Sequence, residues 1–139
     1  MSHYFTVVLV ADGEDIEDKV GSLLEPYRER GSRSMSRWDW WVFGSRYDGL
    51  VRGIKRDWPK DYVLGPADQR LENNCVPVRD LPDDFRCWAI VAPGGRWHEK
   101  AEVGWFGMTT HSDSEWDEKI RKLLVEHNTC LAVGCDLHI

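Results

Sequence analysis

Two uninterrupted apolar runs rich in β-branched residues lie near opposite ends of this 139-residue chain. The first is HYFTVVLVA at 3–11, followed by Asp-Gly, and the second is TCLAVGCDLHI at 129–139. Continuous apolar runs of this length are typical of buried strands. We therefore expect the first and last segments to form strands, with the last one central in a sheet.

Two amphipathic helices are predicted between those runs. Residues 14–29 have acids in the first turn, and 113–127 have Ser112 or Asp113 as a cap. Apolar side chains at helical spacing would form one buried stripe on each helix. In the first helix these are Ile16, Val20, Leu23 and Leu24, and in the second Trp116, Ile120, Leu123 and Leu124.

Three further strands complete the predicted order. Residues 38–43 suit a strand, and 85–92 with 96–103 suit a hairpin around Pro-Gly-Gly. Residues 48–82 are irregular and are expected to form a long loop with one short helix. The order predicts a single α+β domain over 1–139. It would have a mainly antiparallel sheet, two helices on one face, a ferredoxin-like relation and a long insertion after the second strand.

Composition narrows the class of protein. The longest apolar runs are far shorter than the roughly 18–20 residues of a membrane span, and the start lacks the basic region of a signal peptide. We predict a cytoplasmic protein that does not bind membranes. The four cysteines form no CxxC pair and are expected to be reduced. We predict no cofactor.

Charge is distributed unevenly along the chain. The net charge is −6, but residues 28–60 carry nine Lys or Arg and four Asp or Glu, which leaves the rest at −11. An acidic protein makes a poor general DNA binder, because phosphate contacts supply non-specific affinity. A local basic segment could still hold a small anion or a nucleotide.

The segment RWDWWVFGSRY at 37–47 concentrates three tryptophans within the basic region. Indole faces stack on flat ligands, and a guanidinium pairs with phosphate or carboxylate. Strand alternation would place Trp38 and Trp40 on one face and Trp41 on the other. The alternative is a structural strand whose tryptophans fill the core. The predicted ligand-binding residues are Trp38, Trp40, Trp41, Arg46, Arg52 and Trp105.

A second set of polar residues offers acid–base chemistry. Asp136 and His138 are two apart, so they share one face of a strand. Glu99, from the predicted hairpin, could orient a histidine. With His3 these residues could also form a metal site, but nothing in the spacing demands one, and we predict none. The weak catalytic candidates are therefore Glu99, Asp136 and His138. The alternative is a solvated hairpin and exposed histidines.

Three segments carry a resemblance to a known family. They are WDWWVFGSR at 38–46, GRWHEKAEVGWFGM at 95–108 and CDLHI at 135–139, with Ser-His-Tyr at the start. They resemble a family of small uncharacterised bacteriophage and prophage proteins with a W-D-W-Y-x-x-G-G-R-W block, a W-x-E-K-G-x-x-G-W motif and a terminal D-x-H-I. Ser45, Tyr47 and Ala101 depart from that pattern. The resemblance implies a phage context and no mechanism.

Three functions stay open at this point. The first is a phage-encoded binding protein acting on a host component, either a host protein or a sequestered small anionic or nucleotide ligand, and a homo-oligomeric assembly stays open. The second is a small hydrolase or nucleotide-modifying enzyme. The third is a protein-interaction accessory protein without a small-molecule site. Because the P-loop, HExxH and GxSxG signatures are absent, the sequence favours binding over catalysis.

Overall fold

The computed structural model describes residues 3–29, 36–104, 107–110 and 113–139, and describes side chains outside 101–113. It confirms the predicted α+β class. The helices are α1 (Ile16–Leu24) and α2 (Asp113–Glu126). The strands are β1 (His3–Val10), β2 (Trp40–Phe43), β3 (Cys75–Pro77), β4 (Ala89–Val91), β5 (Trp97–Glu99), β6 (Ala101–Gly104), β7 (Gly107–Thr110) and β8 (Leu131–His138).

The two terminal apolar runs pair with each other at the centre of the main sheet. Strands β1 and β8 are antiparallel over all eight residues, from the pair His3–His138 to the pair Val10–Leu131. The sheet order is β2-β8-β1-β4-β5, with β3 also pairing to β8. Only β1 and β4 run parallel among these pairs, so the sheet is mainly antiparallel, as predicted.

The two helices lie on opposite faces of this sheet, so the prediction that both cover one face is wrong. Phe5, Val7 and Leu9 of β1 pack with α2, whereas Val8 and Val10 pack with α1. Because the central strands are apolar on both sides, each face needs its own apolar cover.

No helix in the described part of the chain has the length and apolarity needed to cross a bilayer.

The ferredoxin-like relation is not confirmed. Strand β5 follows β4 in the chain and pairs beside it at one edge, while β2 pairs with β8 at the other edge. A ferredoxin-like sheet instead pairs its second and third strands and has both helices on one face. This sheet shares with a ferredoxin-like sheet a central antiparallel pair of strands, β1 and β8, and a parallel neighbour, β4.

The long insertion predicted after the second strand is present between β2 and β4. It consists mainly of short 3₁₀ turns, including Leu50–Arg52 and Pro66–Asp68, and it returns to the sheet through β3. Asn74, fully buried just before β3, holds it in place. Its Nδ2 donates to Asp48 Oδ1 at 2.8 Å, and its Oδ1 accepts from Gly49 N at 3.0 Å.

Gly44 ends β2 at the point where Asn74 approaches most closely. Its φ is +60°, and a Cβ added there would lie 2.4 Å from Asn74 Nδ2. Glycine alone adopts this backbone conformation without penalty and leaves room for the amide. The close approach turns the chain out of the sheet and into the insertion.

Candidate functional site

Strand register gathers three aromatic side chains at one end of the sheet. His3 is paired with His138 across β1 and β8, and Trp40 is paired with His138 across β2 and β8. The His3 and His138 ring centroids are 4.8 Å apart, and the Trp40 ring stacks on His138 at 5.2 Å with an interplanar angle of 9°. All three lie on the α2 side of the sheet, since they share the alternation of Phe5.

Each histidine is held by a carboxylate. His3 Nδ1 lies 2.9 Å from Asp136 Oδ1, and His138 Nδ1 lies 2.7 Å from Asp39 Oδ1. Asp136 is fully buried, and its Oδ2 has no hydrogen-bond partner among the described residues. Asp39 immediately precedes β2, and its backbone N–H donates to the His138 carbonyl at 2.8 Å. We name His3, Asp39, Trp40, Asp136 and His138 the histidine cluster.

The carboxylates determine which ring nitrogen of each histidine is available. An ionised carboxylate only accepts hydrogen bonds, so each Nδ1 carries a proton and donates. Nε2 of a neutral ring then has its lone pair free to accept a proton or to bind a ligand. In the described ranges, no group of three or more His, Cys, Asp or Glu side chains is arranged to hold a metal ion.

An open cavity of about 390 Å³ lies beside His3. Strand β4 begins at Ala89, opposite Thr6, so the first residues of β1 extend past it and leave space at this end of the sheet. Trp88, just before β4, forms one wall and is 37% exposed. We name this space the histidine pocket. Its other lining residues are Tyr4, Ser36, Arg37, Glu99 and Ile139.

Glu99, one of the weak catalytic candidates, lines the histidine pocket together with Arg37. Glu99 Oε1 is 3.4 Å from Arg37 Nε. Tyr4 donates its hydroxyl hydrogen to the Arg37 carbonyl. Burial, with a further contribution from the negative charge of Glu99, raises the pKa of Tyr4 above its ordinary value. Glu99 thus belongs to the site, and its observed partner is a guanidinium.

The predicted tryptophan surface does not form. Trp38 is 6% exposed and its indole N–H donates to the Leu24 carbonyl at 2.8 Å, so it lies in the core under α1. Trp41 packs on the same α1 side, whereas Trp40 is 42% exposed on the other side. The prediction that Trp38 shares the Trp40 face is wrong, because β2 begins only at residue 40 and Trp38 precedes the regular alternation.

The predicted cationic residues, Arg46 and Arg52, do not belong to the histidine cluster and do not line the histidine pocket. Arg46 and Arg52 are exposed in the insertion and form no ion pair within the described residues. Other cations of the basic segment pair with the chain's own carboxylates, such as Arg56 with Asp48 at 2.9 Å. Trp105 lies outside the described residues. The basic segment is therefore partly neutralised within the chain.

Sequence reasoning missed Asp39, Trp88 and Arg37 as site residues. Asp39 stands in the W-D-W block, which was the available signal. Segments far apart in the chain converge here, since the histidine cluster and Glu99 come from residues 3, 39–40, 99, 136 and 138. No local signal marked Trp88 or Arg37, because their place depends on where β4 begins.

Comparisons with protein-family models, curated proteins and solved structures found no match.

Proposed function

We propose that this protein is a small acid–base enzyme that cleaves a phosphoester in a nucleotide-like substrate, with His3 and His138 transferring the protons. The single observation that carries this proposal is the pair of imidazoles 4.8 Å apart, each held through Nδ1 by a carboxylate, of which His3 lines an open pocket. Two such groups in one place are the minimum for concerted general acid and general base catalysis.

The reaction needs no group beyond the chain and water. The Nε2 of one neutral imidazole takes a proton from water as the water oxygen attacks phosphorus. The Nε2–H of the other, protonated imidazole gives a proton to the leaving oxygen as the P–O bond breaks. Asp136 and Asp39 act as positioning residues, since they contact the imidazoles and hold each Nε2 available. Arg37, although paired with Glu99, supplies positive charge at the pocket for the phosphoryl oxygens.

The acid–base interpretation has better support than sequestration by a tryptophan and arginine surface. That surface required Trp38 and Trp40 to share one accessible face, and Trp38 instead lies in the core. The histidine cluster instead brings together Asp136 and His138, two of the three weak catalytic candidates. A fully buried carboxylate oxygen without a hydrogen-bond partner costs free energy, and Asp136 Oδ2 is such an atom among the described residues.

The test is turnover of bis(p-nitrophenyl) phosphate and p-nitrophenyl phosphate by the wild-type protein, His3→Asn and His138→Asn. General acid–base groups contribute roughly 10²–10⁴-fold, so each variant should lose at least about 100-fold in kcat. The matched control is His127→Asn, at the end of α2 near Glu126, which should retain full turnover. Far-ultraviolet circular dichroism checks that all variants fold.

Two results would count against this function. Turnover that persists in both folded variants would remove the histidines from the chemistry. A wild-type protein that binds nucleotides tightly but cleaves neither ester would return the sequestration function to first place. The phage context and the host partner are part of this proposal through the family resemblance alone, and the cytoplasmic location is proposed from the short apolar runs of the sequence.

A further inference from the structure

A second cavity, of about 260 Å³, lies on the α2 side of Trp88. Trp88 lines both this cavity and the histidine pocket, so the two cavities share this residue. Two hydrogen bonds hold the backbone of Trp88. Trp88 N donates to the Phe5 carbonyl at 2.9 Å, and the Trp88 carbonyl accepts from Lys100 N at 3.1 Å. We name the second cavity the aromatic pocket.

Flat rings surround the aromatic pocket. Phe5 lies two residues after His3 on the same face of β1, and Tyr47 stacks on it at 5.1 Å with an interplanar angle of 27°. Trp116 of α2 donates its indole N–H to the Cys87 carbonyl at 2.7 Å, which satisfies its only polar atom and leaves its ring as apolar lining. Aromatic walls of this kind are suited to a flat heterocycle such as a nucleobase.

Cations lie at the same pocket. Lys100 and Arg86 are among its lining residues, and Arg86 is held by Asp117 at 2.9 Å. Lys100 follows Glu99, which lines the histidine pocket, so positive charge stands close to the boundary between the two cavities. A phosphate that crosses this boundary would meet Lys100 on one side and Arg37 on the other.

We propose that the aromatic pocket binds a second nucleoside, so that the substrate is a dinucleotide or a short single-stranded oligonucleotide whose bridging phosphate lies beside Trp88 and His3. This inference rests on the proposed function for the identity of the reacting group. Its binding part stands independently, because the aromatic pocket does not include the histidine cluster. Tyr47 lines the aromatic pocket, and burial, followed by the negative charge of Asp136, raises the pKa of its hydroxyl.

The experiment measures dissociation constants by calorimetry in the double variant His3→Asn, His138→Asn, so that no probe is consumed. The probes are adenosine monophosphate and the dinucleotide adenylyl-(3′→5′)-adenosine. Adding Leu50→Trp should fill the aromatic pocket, since Leu50 lines it, and adding Lys100→Ala should remove the charge at the boundary. Lys122→Ala, an exposed residue of α2 paired with Glu118, is the matched control.

We expect the dinucleotide to bind at least tenfold more tightly than the monophosphate. Leu50→Trp and Lys100→Ala should each reduce that ratio, and Lys122→Ala should leave it unchanged. Equal affinity for the two probes, or a ratio that survives Leu50→Trp, would overturn the second nucleoside site. Turnover of the small esters by the wild-type protein, combined with equal affinities, would reject this site and keep the proposed function. Tighter dinucleotide binding without any turnover would keep the second nucleoside site and reject the proposed function.

Discussion

Trp38 and Trp40 are two residues apart, yet they have opposite surroundings. Trp38 is sealed beneath α1, with its indole N–H bonded to a helix carbonyl. Trp40 stands 42% exposed on the other face, stacked on a histidine that is itself held by a carboxylate. The side chain on the α1 side thus fills the core, and the side chain on the α2 side belongs to an accessible polar site.

The difference shows that a cluster of tryptophans in sequence need not be a cluster in space. Rigid indoles serve cores and binding surfaces equally well. What separates the two roles here is the partner of each ring, a backbone carbonyl in one case and an ionisable imidazole in the other. Four predictions test how sharply the two faces differ, beginning with the largest expected effect.

Replacing the two tryptophans should give very different losses of stability. Trp38→Ala should lower the free energy of unfolding by about 3–5 kcal/mol, as large-to-small changes do in a core. Trp40→Ala should cost about 1 kcal/mol, the contribution of a ring pair at a partly exposed position. Urea unfolding midpoints at constant slope measure both. Similar losses for the two variants would contradict the division between the faces.

The two carboxylates of the histidine cluster should also differ. Asp136→Ala removes a fully buried carboxylate and leaves the partly buried Nδ1–H of His3 without its partner, so it should cost about 1–3 kcal/mol. Asp39→Ala removes a side chain that is 36% exposed and should cost less than about 1 kcal/mol. Thermal unfolding of both variants provides the comparison. A larger loss for Asp39 would mean that the outer pair, not the inner one, stabilises the end of the sheet.

The turn that ends β2 should be sensitive to one methyl group. Gly44→Ala places a Cβ at positive φ against the Asn74 amide and should cost at least about 1–2 kcal/mol. Gly94→Ala, in the β4–β5 turn where a Cβ meets nothing within 4 Å, should change stability by no more than about 0.5 kcal/mol. Chemical denaturation compares them. Equal tolerance would show that Asn74 can move away.

Tyr4 and His3 are neighbours on β1 that face opposite sides, and Tyr4 should make stability fall in alkali. Its pKa is raised in the folded state by burial and then by Glu99, so folding favours the neutral phenol. Its contribution is complete below the unfolded value of about 10 and declines as the pH rises above that value. Unfolding free energies between pH 9 and 11 should fall less steeply in Tyr4→Phe. An unchanged slope would mean that other groups cause the decline.

Much of the fold could be predicted because local patterns determined it. The uninterrupted apolar runs of β1 and β8, the Pro-Gly-Gly turn between β4 and β5, and the apolar stripe of α2 at helical spacing are each visible within a short stretch of sequence. The face on which each helix packs could not be predicted. That choice depends on which strands become neighbours, and β2 pairs with β8 rather than with β1.

The candidate site was only partly predictable for the same reason. The spacing of Asp136 and His138 correctly placed them on one face. Their pairing with His3 and Asp39 depends on register between strands more than 90 residues apart in sequence, and no local pattern encodes that register. The sequence predicts a histidine partner for Glu99, but the structure pairs Glu99 with Arg37.

The parallel stack of Trp40 on His138 gives this protein an optical signal of its own. Indole emission is quenched more strongly by an imidazolium than by a neutral imidazole in contact with it. The fluorescence that Trp40 contributes, isolated as the difference between the wild-type protein and Trp40→Phe, therefore reports the charge on His138 and on His3, whose ring centroid lies 5.3 Å from that of Trp40. Events at the pocket can be followed in real time without any added label.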